Sequence, residues 1–431
     1  QGQLGDGTGI DRSTPVQIMT DVASIAGNRL WSMALKRDGT VWRWGYGIGA
    51  SPTQVPGLAN ITAIAAGEDH GLALHADGTV WAWGGNSAGQ LGDDTTTNRA
   101  TPVQVIGLRG VRSIAAGEDF SLAVEGDGAT GGWVWAWGLN AIGQLGDGTT
   151  LSRKIPVRVP GLSNVAQVAA GNVFGLARLT DGTVRSWGGN DLGQLGVGST
   201  AITAGVQAVA LLTGIRIVSA SGWHGMATDV DGRLWAWGNN SSSQLGLTNQ
   251  ALFPSPQLVA HIPSSVMAAG GFMHTIALRA DGTVWAMGGG AGSLPGGSTT
   301  GAQVPDLITG DQSALTADQD SDGLPTWREL MRGTDPLDAD SNDNGLTDGI
   351  EVGLPEAGAN ADEDGDGLSS AAEIAKGTDP FLADTDGDGF NDGVDAFPLD
   401  PTRHDPLTPT SGDTTPPVIT LTEPTNAVPL P

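Results

Sequence analysis

The chain has 431 residues and a formal net charge of −27, with 68 glycines, 14 tryptophans and no cysteine. The length allows several domains, the acidity excludes a surface built for nucleic acid or anionic lipid, and the missing cysteine excludes a disulfide framework. No apolar run reaches the ~18 residues that a membrane-spanning helix requires, and no signal peptide is visible.

The charge is unevenly spread. Residues 311–431 hold 27 Asp plus Glu against 4 Lys plus Arg, whereas residues 1–310 hold 20 against 16. Acidity is therefore a property of the C-terminal part, and the two parts are read as different domains.

Residues 1–310 repeat with a period of about 50, the signature of a propeller or solenoid. A clear copy runs from Gly143 to Gly188, and Trp-Gly closes successive units at Trp44, Trp83, Trp137, Trp187 and Trp237, with Met287-Gly288 as the sixth. Six residues earlier stands Asp-Gly, at Asp38, Asp77, Asp181, Asp231 and Asp281, with Asp127 displaced by a four-residue insertion. Asp-Gly between alternating apolar residues predicts a type I′ hairpin. Each unit then reads as four short strands; in the third these are TPVQV, VRSIAA, SLAVE and WVWAW.

The motifs GQLGDGT and DGTVWAWG resemble the regulator of chromosome condensation repeat family, which implies a mainly β fold, a β-propeller of four-stranded antiparallel blades. Seven runs of the PVQV type, beginning at Pro15, Thr53, Pro102, Pro156, Val206, Pro256 and Ala302, stand against six Asp-Gly hairpins. The count predicts a seven-bladed ring with an incomplete closing blade, or six blades as the alternative. The eponymous family member is a guanine-nucleotide exchange factor on chromatin, but fold alone does not transfer that activity.

Alignment of the units tests apparent catalytic residues against one another. One slot, thirteen residues before the closing Trp or Met, holds Trp31, His70, Phe174, His224 and His274, and Phe120 in the unit with the insertion. A histidine that exchanges with Phe and Trp is expected to be a packing residue. His75, His261 and His404 have no acidic or serine constellation around them in the sequence, so no catalytic residue is assigned. Ten of the fourteen tryptophans lie in the last-strand motif, where alternation should stack them between blades.

Residues 311–405 carry a second repeat, an acidic 12-residue loop written four times at a 22-residue step. A hard cation such as calcium needs six to eight oxygens around one point, with glycine at the sharp turn in loop position 6. Positions 1, 3 and 5 supply Asp318, Asp320 and Asp322; Asp340, Asn342 and Asn344; Asp362, Asp364 and Asp366; and Asp384, Asp386 and Asp388. Gly323, Gly345, Gly367 and Gly389 occupy position 6. Backbone carbonyls of Leu324, Leu346, Leu368 and Phe390 would add a ligand each, and Glu329, Glu351, Glu373 and Asp395 would close the cages. Up to four Ca²⁺ ions are expected, with the fourth site the most irregular because Asp395 is one methylene shorter than glutamate.

Only ten residues separate one loop from the next, and Gly-Thr-Asp-Pro interrupts them at Gly333–Pro336 and Gly377–Pro380. That leaves too little helix for a helix–loop–helix sensor. The segment resembles thrombospondin type 3 repeats in their bacterial form, which implies a string of loops wrapped around ions with short helical turns and little apolar core.

The remaining residues, 406–431, read as a linker and the first strand of an immunoglobulin-like domain, DTTPPVITLTEPTNAV at Asp413–Val428. Together the domains predict a non-enzymatic binding or display module, secreted or attached to a bacterial cell surface and serving adhesion or ligand recognition. The ring's loops, rich in Thr, Ser, Asn and Gly, would meet a protein or glycan. The alternatives are an accessory region of a secreted hydrolase whose catalytic domain lies elsewhere, a secreted enzyme inhibitor, or an exchange factor of the same fold.

Overall fold

Strands, and no helices, make up the regular structure of the described residues. The structure, a computed structural model, describes residues 2–12, 15–126, 131–248, 250–280, 282–289, 302–303, 367–368 and 390–394. Most of the acidic loops and all of the 406–431 segment, including the expected immunoglobulin-like strand, lie outside them.

Twenty-four strands pair antiparallel with their sequence neighbours. The second blade shows the plan: Ile61–Ala66, His70–His75, Val80–Gly84 and Arg99–Gln104 lie side by side in that order. The blade is offset by one strand from the unit read in the sequence. TPVQV, taken there as the first strand of the third unit, pairs instead with Val80–Gly84 and ends the second blade, through Trp81↔Gln104 and Ala82↔Val103.

Neither seven nor six separate blades are what the sheets display. Four stand alone as four-stranded blades, and eight strands between Val111 and Ala208 join into one sheet. The join is a single pair, Gly132↔Val165. Its cause is the insertion: it lengthens the hairpin arms to Phe120–Gly126 and Gly132–Gly138, so the hairpin reaches the first strand of the next run. The PVQV run at Pro15 forms no strand among the described residues. Of the run at Ala302, Ala302–Gln303 pairs with Val284–Gly288, and the rest lies outside the described residues.

The Asp-Gly hairpins also depart from expectation. Gly78 has φ +79° but Asp77 is not in the left-handed region, and the turn closes with Gly78 N–H on the His75 carbonyl and His75 N–H on the Thr79 carbonyl. That is a type I turn followed by a glycine bulge, a three-residue loop rather than the two-residue type I′. Threonine decides it. Thr79 donates from both N–H and Oγ1 to the Asp77 carboxylate, at 2.9 and 2.7 Å, which holds the aspartate in the ordinary half of the map.

Apolar side chains from the second and third strands of one blade meet the next blade: Phe120, Leu122 and Val134 pack with Val165, Ala177 and Trp187 in one cluster. The expected stacking of tryptophans is present, with Trp83, Trp137, Trp187 and Trp237 all fully buried. The GQLG loops clamp this packing. Leu91, Leu145, Leu195 and Leu245 are wholly buried, and the indole N–H groups of Trp137, Trp187 and Trp237 donate to the carbonyls of Gln90, Gln144 and Gln194 at 2.8–3.0 Å. The loop glycine has to be glycine, because a Cβ on Gly146 would sit 2.7 Å from the Trp187 ring.

Two departures confirm the clamp's logic. The first blade's third and fourth strands are joined by a short turn without GQLG, and the Trp83 indole N–H is left without a partner. The N-terminal Gly2–Thr8 segment does carry the motif, and it lies on the first blade, where the Trp44 indole donates to the Gln3 carbonyl at 2.9 Å. At the far end Ile276 is 38% exposed, while Leu72, Leu122, Leu176 and Met226 in the same slot are at 0%, because no following blade among the described residues covers it. The Arg29 guanidinium lies 5.2 Å from the centre of the Phe272 ring, a contact between loops of the first and last of these sheets.

Candidate functional site

The apparent catalytic histidines are core. His70 and His224 are fully buried, and their Nε2 atoms lie 2.9 Å from Ser121 Oγ and Thr275 Oγ1. A Ser–His pair at that distance imitates a nucleophile and its base, but three observations remove the imitation. Ser121 Oγ donates to the Gln90 carbonyl, His70 Nδ1 has no orienting partner, and neither side chain reaches solvent. Burial holds the His70 imidazole down at about 4 and that of His224, helped by the charge of His274, at about 3. They are neutral packing groups at physiological pH, as their exchange with phenylalanine implies.

The turns between first and second strands form a different kind of site. They are tied one to the next by backbone hydrogen bonds, Glu68 N–H to the Glu118 carbonyl, Glu118 N–H to Asn172 and Asn172 N–H to Gly222, at 2.9–3.1 Å. This fixes a rim that is acidic on one side, with Glu68, Asp69, Glu118 and Asp119, and carries Val173, Trp223 and Phe272 on the other. Glu118 is pushed up to about 7, first by burial and then by a hydrogen bond with Glu68 and by the charges of Glu68 and Asp119; Arg29 opposes the rise. Asp119 is also raised by burial and by the charges of Glu68 and Asp69, and it accepts a 2.8 Å hydrogen bond from Gln90 Nε2. The Glu118 carboxyl thus holds its proton to a higher pH than an ordinary glutamate. The sequence offered a signal for it that was not used, the tetrapeptide AGED written twice, at 66–69 and 116–119.

On the opposite ends of the strands, the lengthened hairpin borders a cleft of about 540 Å³ lined by Arg109, Glu125, Trp133, Ser163 and Asn164 with glycines of both hairpin arms. Trp133 is 45% exposed there, unlike the tryptophans of the last-strand motif.

Of the expected calcium ligands only Leu368 and Phe390 fall among the described residues, and both are half-buried. The carboxylates and amides from Asp318 to Asp388, the closing Glu329, Glu351, Glu373 and Asp395, and Leu324 and Leu346 lie outside them. Gly367, at the turn position of the third loop, has φ +98° with open space where a Cβ would stand, a backbone that suits glycine. Among the described residues no group of three or more His, Asp or Glu converges to hold a metal ion.

Blades clamped by a leucine, a glycine and a carbonyl on the neighbour's indole define a β-propeller of tandem repeats. Residues 49–260 match the RCC1-like domain family model, and residues 362–383 and 384–394 match the bacterial TSP3 repeat. Among curated protein sequences none matches this chain. Similar solved structures include Prp20p of Saccharomyces cerevisiae, 22% identical with a TM-score of 0.60, covering 67% of this chain and 78% of that one. Yeast RCC1 (Prp20) bound to Kap60 is 22% identical with a TM-score of 0.59, covering 67% and 76%. Human WBSCR16 is 20% identical with a TM-score of 0.60, covering 68% and 84%. At such identities the likeness establishes the fold alone.

Proposed function

We propose that this chain is a non-enzymatic binding module, a propeller head carried on a calcium-stiffened spacer and displayed outside a bacterial cell or on its surface. The observation that carries the reading is the bacterial TSP3 match at residues 362–394, which falls in register on the third and fourth acidic loops. The donor chemistry fits a hard cation: Asp362, Asp364, Asp366, the Leu368 carbonyl and Glu373 would hold one ion, with Gly367 supplying the turn. The same pattern assigns ions to Asp318, Asp320, Asp322, Leu324 and Glu329, to Asp340, Asn342, Asn344, Leu346 and Glu351, and to Asp384, Asp386, Asp388, Phe390 and Asp395. Calcium would supply the charge that cancels repulsion among these carboxylates.

The head is read as the recognition surface. Structures with this fold are described with protein partners, Kap60 in one case and Gsp1p and histones in another. A protein partner on the propeller of this chain is in keeping with them. The burial and neutrality of His70 and His224 support a binding role over a catalytic one.

Calorimetric titration of the full chain with calcium tests the reading. Saturable binding with dissociation constants near 10⁻⁴–10⁻³ M is expected, the range of extracellular modules, and Glu329→Ala should weaken one class of site while leaving the others. A flat titration through about 10 mM calcium contradicts it.

A further inference from the structure

We propose that the cleft beside Trp133 is a binding site for a neutral carbohydrate. The inference rests on the reading of the propeller as a binding head and gives that head a ligand class.

The repeats supply the control. Trp133 occupies the position filled by Thr40, Thr79, Thr183, Arg233 and Thr283 in the other blades, one residue before the buried Val134. In the first, second and fourth blades that threonine has a structural task, donating through Oγ1 at 2.6–2.7 Å to Asp38, Asp77 or Asp181. The third blade gives up this turn, takes an insertion and places a tryptophan there. Trp133 has 45% of its surface exposed. An indole contributes little to a fold when it is left so open, and the burial that makes tryptophan useful is still available to a ligand.

The surroundings select the ligand. The Arg158 guanidinium lies 4.7 Å from the centre of the indole but does not line the cleft, so it steadies the ring without filling the space. Among the described lining residues Arg109 and Glu125 bring one charge of each sign, and with Ser163 and Asn164 they offer both donors and acceptors. Glu125 is itself fixed by the Trp135 indole N–H at 2.6 Å. Gly110, where a Cβ would meet nothing within 4 Å, leaves its part of the lining open. A flat apolar plate, cancelling charges and a ring of mixed polar groups match a pyranose, which has an apolar face and a hydroxylated edge. The cleft's size lies within the range of small-ligand pockets. Strand addition by a peptide is disfavoured, because the strand Gly132–Gly138 is already paired with Phe120–Gly126, with Arg153–Arg158 and, at Gly132, with Val165.

The test uses the full chain with four neutral disaccharides, cellobiose, maltose, lactose and N,N′-diacetylchitobiose, read by saturation-transfer NMR and by tryptophan emission. A soluble polyproline peptide represents the competing class. At least one disaccharide should bind with a millimolar dissociation constant. Trp133→Thr, which installs the residue used by other blades and so preserves the fold, should weaken it by about tenfold or more. Tyr46→Ala, at an exposed aromatic elsewhere, should leave it unchanged. The proposal fails if no disaccharide saturates a signal by about 50 mM, if Trp133→Thr binds as well as the parent, or if only the polyproline peptide depends on Trp133. Calcium titration of the same samples separates this failure from that of the module reading, since the calcium response does not involve the cleft.

Discussion

The propeller and the acidic segment solve the same problem, ordering a repeated chain, with opposite materials. In the propeller each repeat hands its neighbour an indole, a leucine and a carbonyl, and burial of apolar surface does the ordering. Trp137, Trp187 and Trp237 are fully buried, with Leu91, Leu145 and Leu195 in the same clusters. The acidic segment is dominated by like charge: 27 carboxylates stand against 4 cations from residue 311 onward. Like charges at that density oppose compaction, so on the proposed reading its order comes from ions. One half should be indifferent to chelators and sensitive to cavities, and the other the reverse.

The largest expected effect lies in the core. Trp187→Ala removes a fully buried indole and its hydrogen bond to the Gln144 carbonyl, and should cost about 3–5 kcal/mol. Urea denaturation followed by tryptophan emission measures the loss, and calcium affinity should not move. A shift in calcium affinity would break the division between the two halves.

The buried histidines give a smaller, pH-dependent effect. An unfolded histidine titrates near 6.5, whereas His70 and His224 stay neutral down to about 4 and 3. Between those limits the unfolded chain binds more protons, so their contribution is complete above 6.5 and is lost as the pH falls. The double variant His70→Phe, His224→Phe, which copies the third and fourth blades, should keep the fold and flatten the decline in melting temperature below pH 6.5. It should lose about 1 kcal/mol at pH 7.5 for each hydrogen bond given up.

The smallest effect belongs to the rim and has the opposite sign. Glu118, ordinarily near 4.5, is raised to about 7, so the folded state binds more protons in between and stability falls as the pH rises through that window. Glu118→Gln keeps a hydrogen-bonding side chain without the charge. It should raise the melting temperature at pH 8 by about 1–3 °C and leave it unchanged at pH 4.5. An equal rise at both values would remove charge as the cause.

Much of the propeller was legible because its repeats police one another. The exchange of His70 with Phe120 and Phe174 in one slot discloses a packing role from the sequence alone, and the Trp-Gly endings mark the third strands. Three features escaped for physical reasons. The offset between sequence unit and blade cannot be read from a period, which is the same wherever the unit is cut. The hairpin type turned on the Thr79–Asp77 bond, a side-chain interaction that the Asp-Gly signal ignores. The fused sheet arose from an insertion whose length says nothing of where its arms reach. Of the proposed functional surfaces, the acidic loops stand out in the sequence because their proposed ligands recur in fixed register. The Glu68–Glu118 pair was not, because its properties depend on two turns from different blades meeting.

The central claim is that ions, and not apolar burial, order the acidic segment while the propeller holds itself. The direct measurement is the hydrodynamic radius of the full chain by analytical ultracentrifugation, in chelator and in millimolar calcium, with tryptophan emission recorded on the same samples. The account predicts a smaller radius in calcium with the emission spectrum unchanged. An identical radius in both conditions, or a propeller that unfolds in chelator, would contradict it.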